Sequence, residues 1–89
     1  MTDVEFLRWL DNEVRARRLS PKQRDDLVTQ KRAFDNDRAL IMQQFANQVV
    51  GYSGRTQIVG NTVHDVLDQA KRALPDRMVY FEPIGFDLF

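Results

Sequence analysis

The chain contains no cysteine, a single histidine and a single tryptophan, and no surplus of either charge, with 13 basic against 13 acidic residues in 89. The lack of cysteine excludes disulfide stiffening, thiolate metal sites and cysteine nucleophiles. The charge balance excludes a global field toward nucleic acid or an anionic membrane, so any such binding has to come from a local patch. Long apolar runs are missing too. The longest, residues 39–42 and 78–81, hold four residues each, whereas a bilayer span takes roughly 20. The opening MTDVEFLRWLDNE is acidic and lacks the apolar stretch of a secretory signal. A cytoplasmic protein is expected, with no membrane, metal or cofactor.

Hydrophobic residues make up 43 % of the chain, enough for one small core. A domain this size buries only about 60 % of the surface its unfolded chain exposes. Marginal stability follows, and a core shared between two copies would relieve it.

Residues 1–47 read as a helical hairpin. Thr2 and Glu5 have the T-x-x-E spacing of a capping box, followed by an apolar stripe of Phe6, Leu7, Leu10 and Val14, with Trp9 off the stripe. Ser20-Pro21-Lys22-Gln23 repeats the start signal with proline at the first helical position. The second helix is predicted over residues 21–47, roughly 39 Å long. Asp35, Asn36 and Asp37 are weak helix formers, so a kink or restart is expected there.

Residues 48–83 read as a ββαβ unit. Two β-branched and aromatic runs, at Val49 to Tyr52 and Thr56 to Val59, flank Ser53-Gly54-Arg55, where Gly54 suits the positive φ of a short hairpin turn. Asn61 or Thr62 caps a helix whose apolar face is Val63, Val66, Leu67, Ala70 and Leu74, and Pro75 stops it. Met78, Val79, Tyr80 and Phe81 form a third strand, ended by Pro83 because proline cannot donate to a ladder. The class is therefore α+β: two N-terminal helices, the second one long, then β-β-α-β with a three-stranded sheet. Strand orders 2-1-3 and 1-2-3 both fit, and the sheet face opposite the last helix needs the long helix or a partner to cover it. Residues 84–89 form an apolar tail ending in Phe86, Leu88 and Phe89.

No catalytic or metal-binding set emerges. His64 falls on a polar helix face without a cysteine or a free serine to work with, since Ser20 and Ser53 serve as cap and turn. Asp65 and Asp68 share a face but lie beside Lys71 and Arg72, as solvated charges do. The cluster Arg15, Arg17, Arg18, Lys22 and Arg24 is the local basic patch, diluted by the acidic residues at 11, 13, 25 and 26.

From Phe45 to Ile84 the order Val49-Val50-Gly51, Gly54, Ile58-Val59, Thr62, Ala70, Pro75 and Val79 resembles a group of small uncharacterised prokaryotic domains. The resemblance implies the hairpin, capped helix and final strand, and no activity. The end, Asp87-Leu88-Phe89, resembles that of the bacterial sliding-clamp-binding pentapeptide, with Gly85 and Phe86 standing where that motif has Gln and Leu.

The function expected from these residues is a small non-enzymatic interaction module, homodimeric, with Leu40, Ile41, Met42, Phe45, Phe86, Leu88 and Phe89 in the contact. A protein partner for the tail is a further expectation. The alternative is a nucleic-acid-associated, antitoxin-like regulator using the Arg15, Arg17, Arg18, Lys22 and Arg24 cluster.

Overall fold

Hydroxyls start all three helices. Thr2 Oγ1 accepts from the Glu5 N–H, Ser20 Oγ from Gln23 and Thr62 Oγ1 from Asp65, each at 3.1 Å, which satisfies donors the helix itself leaves orphaned. Ser20 completes a capping box by donating its own N–H to Gln23 Oε1 at 2.9 Å. Around these starts, a computed structural model describes residues 2–85 in the order α1 (Asp3–Arg15), α2 (Pro21–Gln44), β1 (Val49–Ser53), β2 (Thr56–Gly60), α3 (Val63–Ala73) and β3 (Tyr80–Pro83). This is the expected α+β class. The expected tail contacts Phe86, Leu88 and Phe89 lie outside the described residues.

α1 ends in a turn in which Arg17 takes a φ of 60°, with its N–H on Val14 O and the Arg18 N–H on Glu13 O, both at 3.0 Å. This is a Schellman ending with arginine in the left-handed position where glycine is usual. α2 runs unbroken for 24 residues, so the expected kink at 35–37 does not form. The reason lies in the side chains. Asp35 is bonded by Lys31 and Arg38, and Asp37 by Tyr52 Oη at 2.7 Å, which removes the carboxylates that would compete for the backbone.

The sheet order is β2-β1-β3, with both neighbours antiparallel to β1. The hairpin loop is two residues long, and Gly54 and Arg55 both have positive φ (55° and 65°), as a turn matched to the strand twist demands. β3 is displaced from its expected position and contains Pro83, paired with Val49. Ile84 N–H bonds to Gln48 O at 2.9 Å, so Ile84, Glu82 and Tyr80 point their backbone groups at β1. By the two-residue alternation of an antiparallel ladder, Phe81 and Pro83 point theirs away. The missing N–H of Pro83 thus falls on the free edge, where it costs no ladder bond.

β1 is buried along its whole length and divides the core. Val50 and Tyr52 face α2 with Phe34, Ile41 and Ile84, whereas Val49 joins Ile58, Val66 and Ala70 under α3. α2 therefore covers the face that could otherwise have called for a partner. A third cluster, Phe6, Leu10 and Leu27, joins α1 to α2 and to the start of β3 through Met78 and Tyr80. The α1 stripe is narrower than the spacing suggested, because Leu7 remains 38 % exposed.

Gly51 allows α3 to close on the sheet: a Cβ there would lie 2.8 Å from Val66 Cγ1 and 3.2 Å from Tyr80 O. Val66 is fully buried and β-branched, so it cannot swing aside. Gly51→Ala should therefore lower unfolding stability by about 1–3 kcal/mol. A urea melt checks this, and an unchanged midpoint would show that α3 is not packed so tightly.

Candidate interaction groove

β3 is an edge strand, and a concavity of about 840 Å³ borders its open side. α2 packs across β1 and β3, and α1 lies against α2 on the β3 side, where Phe6 meets the Tyr80 ring edge-on at 5.6 Å. The groove therefore has the β3 edge as one wall and the N-terminal half of α1 as its overhang. Trp9, 45 % exposed and 6.3 Å from the Phe6 ring, stands at its mouth.

A continuous chain of charges runs along the floor. Lys31 Nζ donates to Asp3 Oδ1 at 2.8 Å and Asp35 Oδ2 at 2.7 Å. Arg38 donates to Asp35 Oδ1 at 2.6 Å and grips Glu82 with two bonds of 3.0 and 2.7 Å. Tyr80 Oη donates to Glu82 at 2.6 Å. Lys31 is buried, with its ammonium 5.6 and 5.8 Å from the Phe6 and Tyr80 ring centres. Its spacing from Asp35 and the spacing of Asp35 from Arg38, four and three residues, put these groups on one stripe of α2.

Burial alone would drive each carboxylate up and Lys31 down, and the bonds reverse this. Asp35 and Glu82 are held below the usual carboxylate range by Lys31 and Arg38, Glu82 also by Tyr80, and Lys31 is raised by Asp3 and Asp35. Arg38 is raised by Glu82, and Tyr80 is pushed up by burial and then by Glu82. Lys31, Asp35, Arg38, Tyr80 and Glu82 are thereby fixed in the charge states they already have at neutral pH. Acid–base catalysis needs the opposite, a group poised near the working pH.

The start of β3 is fastened by Asp26. Its carboxylate accepts two bonds from Arg77 (3.0 and 2.7 Å), one from the Met78 N–H (2.9 Å) and one from Gln30 (2.9 Å). The Arg77 guanidinium, above all, holds Asp26 well below the usual carboxylate range against the effect of burial.

The residues expected to form a contact on α2 are dispersed. Ile41 is 1 % exposed and belongs to the core with Phe34 and Val50, and Phe45 is half-buried against the same cluster. Leu40 and Met42 are more than half exposed, but successive helical residues are 100° apart, so with Ile41 inward they fall on opposite flanks of α2. The basic cluster is partly neutralised. Arg18 pairs with Glu13, and Arg24 with Asp11 and Asp25. Arg15, Arg17 and Lys22 are exposed, and Arg17 occupies the left-handed turn. His64 is exposed on α3 and lies 3.1 Å from Asp68. Of Phe34, Tyr52 and Tyr80, three aromatics of the sheet and long helix, only Tyr80 lines the groove.

No group of three His, Asp or Glu among the described residues is placed to hold a metal ion, and no described helix is long and apolar enough to cross a membrane. No family model matches the chain, and neither a curated protein nor a solved structure matches it.

Two substitutions test this geometry. Because Asp26 has a lowered folded-state pKa, its stabilisation is complete above the unfolded carboxylate value near 4 and is lost as pH falls below it. The original chain should exceed Asp26→Asn by about 2 kcal/mol from roughly pH 5 upward, with the gap closing in acid. Equal stabilities at pH 7 would show that the clamp is not formed. Arg17→Gly should stabilise the chain by about 0.5–1 kcal/mol, since glycine enters the left-handed region without a Cβ conflict. Thermal unfolding monitored by circular dichroism measures that difference.

Proposed function

We propose that this chain is a small non-enzymatic interaction module whose working surface is the groove between α1 and the free edge of β3. The observation that carries this reading is the coincidence, among the described residues, of an unbonded strand edge, exposed Trp9 and a hollow lined by both aromatic and charged side chains at one place. Exposed strand edges are usually blunted, and a concave lining of aromatic and charged groups beside one suits a docked polypeptide. The locked charges on the floor support a structural and recognition role over a catalytic one. Self-association through α2 has less support, because its apolar residues are split between the core and two flanks. The nucleic-acid reading has less support too, with Arg18 and Arg24 already engaged by carboxylates.

Random heptapeptides displayed on phage and selected on the full chain test the proposal. Enriched peptides should shift the emission of Trp9 and the amide resonances of Val79 and Phe81, and should weaken about ten-fold on a folded Trp9→Ala chain. Enriched peptides that perturb only residues remote from the groove would overturn it.

A further inference from the structure

The groove's walls define what fits it. On the free edge, Phe81 presents an N–H and a C=O and Pro83 a C=O alone, and Val79, just before the strand, makes no backbone–backbone bond. That is the pairing surface for one more strand, three residues long at its centre. An added strand lies about 4.8 Å outside β3 and sets alternate side chains on the α1/α2 side of the sheet. One of these falls beside Tyr80, next to Phe6 and Trp9. The one two residues away falls beside Glu82, next to Arg38 and Asp35.

A second copy pairing through its own β3 does not fit. A dyad between two β3 strands would run about 2.4 Å outside each, half the strand spacing. α2 spans β1 and β3, and packed helix axes stand 8–10 Å apart, so α1 reaches over the free side of β3 beyond that line. Two copies would drive their α1 helices into each other, while a lone strand slides beneath the overhang.

Charge decides the rest. The lining carries three carboxylates, Asp3, Asp35 and Glu82, against two cations, Lys31 and Arg38. Lys31 is shared between Asp3 and Asp35, and beyond it Asp35 and Glu82 share the single cation Arg38, so the Glu82 end carries the surplus of negative charge. At the other end the side chains in reach are aromatic.

Building on the docking surface proposed above, we infer that the groove takes one extended segment of a different protein, bonded to β3 as a fourth strand. That segment places an aromatic or large aliphatic side chain beside Tyr80 and a basic one two residues away, beside Glu82.

The sole tryptophan of the chain is in the groove, so its emission reports occupancy directly. The probes are blocked heptapeptides of threonine with phenylalanine and arginine two residues apart, in both orders, and twins with glutamate for the arginine. The full chain should bind one arginine peptide saturably and about five times more tightly than its glutamate twin. N-methylation of single peptide amides should weaken that binding about ten-fold at alternate residues only, those whose N–H faces β3. Equal binding of the twins, or loss at consecutive N-methylated residues, would overturn this inference and leave the groove as a docking surface. A Trp9 shift on concentrating the chain alone would likewise overturn it in favour of self-pairing. No shift with any peptide up to about 1 mM, together with failure of the phage selection, would remove both readings.

Discussion

Everything in this fold depends on β1 being the middle strand and being pressed from both faces. Its residues alternate between two cores: Val50 and Tyr52 under α2, and Val49 under α3, with Gly51 in contact with Val66. A strand buried on both faces needs continuous apolar or side-chain-free positions, and VVGYS provides them. Because β1 is central, β2 and β3 are both edges. β2 carries the hairpin and α3, whereas β3 arrives last and ends the sheet beside the helical hairpin. The open edge next to α1 is a consequence of that order.

The charge chain from Asp3 to Tyr80 solves a packing problem created by the same order. α2 lies over β1 and β3, and the space between it and the β3 edge is filled by charged side chains in place of an apolar layer. Long side chains fill it, with the Lys31 ammonium over the Phe6 and Tyr80 rings, the Arg38 guanidinium 4.9 Å over Phe34 and their charges paired with Asp3, Asp35 and Glu82. Half-buried ion pairs roughly balance desolvation against attraction, so their contribution is less to stability than to position. Arg38 ties Glu82 to α2, and Asp26 does the same for Met78 and Arg77 one helical stretch earlier. β3 is an edge strand held by polar bonds from one helix, so its outward groups stay in a fixed plane.

Local signals were legible and distant ones were not. Ser20-Pro21 with Gln23, Thr62 and the Gly54 turn each act on neighbours within a few residues, and each falls where its chemistry requires. The displacement of β3 came from judging Pro83 by its missing donor without knowing which edge that donor would face. The unbroken α2 came from partners beyond the helix: Asp37 is occupied by Tyr52, 15 residues away. Lys31 to Asp3, Arg38 to Glu82 and Asp26 to Arg77 span 28, 44 and 51 residues, and no spacing rule within one element reaches that far. Leu40, Ile41 and Met42 read as a patch, although three successive residues of a helix point in three directions. Arg17 and Arg55 in left-handed turns had no signal at all, because arginine there is unfavourable and only the surrounding hydrogen bonds impose it.

The protection of the β3 edge explains the form of its open part. Pro83 removes one donor, Glu82 is a charged edge residue, and α1 shields the strand from a second sheet; each is a known defence against edge-to-edge aggregation. Between these defences, among the described residues, Phe81 and, just before the strand, Val79 retain both backbone groups. A window of that size offers about four hydrogen bonds, each worth little net when exchanged with water. Backbone pairing alone therefore cannot hold a partner, and the selectivity has to come from the side-chain positions beside Tyr80 and Glu82. An exposed tryptophan at the first and a net carboxylate at the second are costly features for a bare surface and useful ones for a receptor. The same elements that prevent indiscriminate strand addition thus narrow the groove to a short, specific segment.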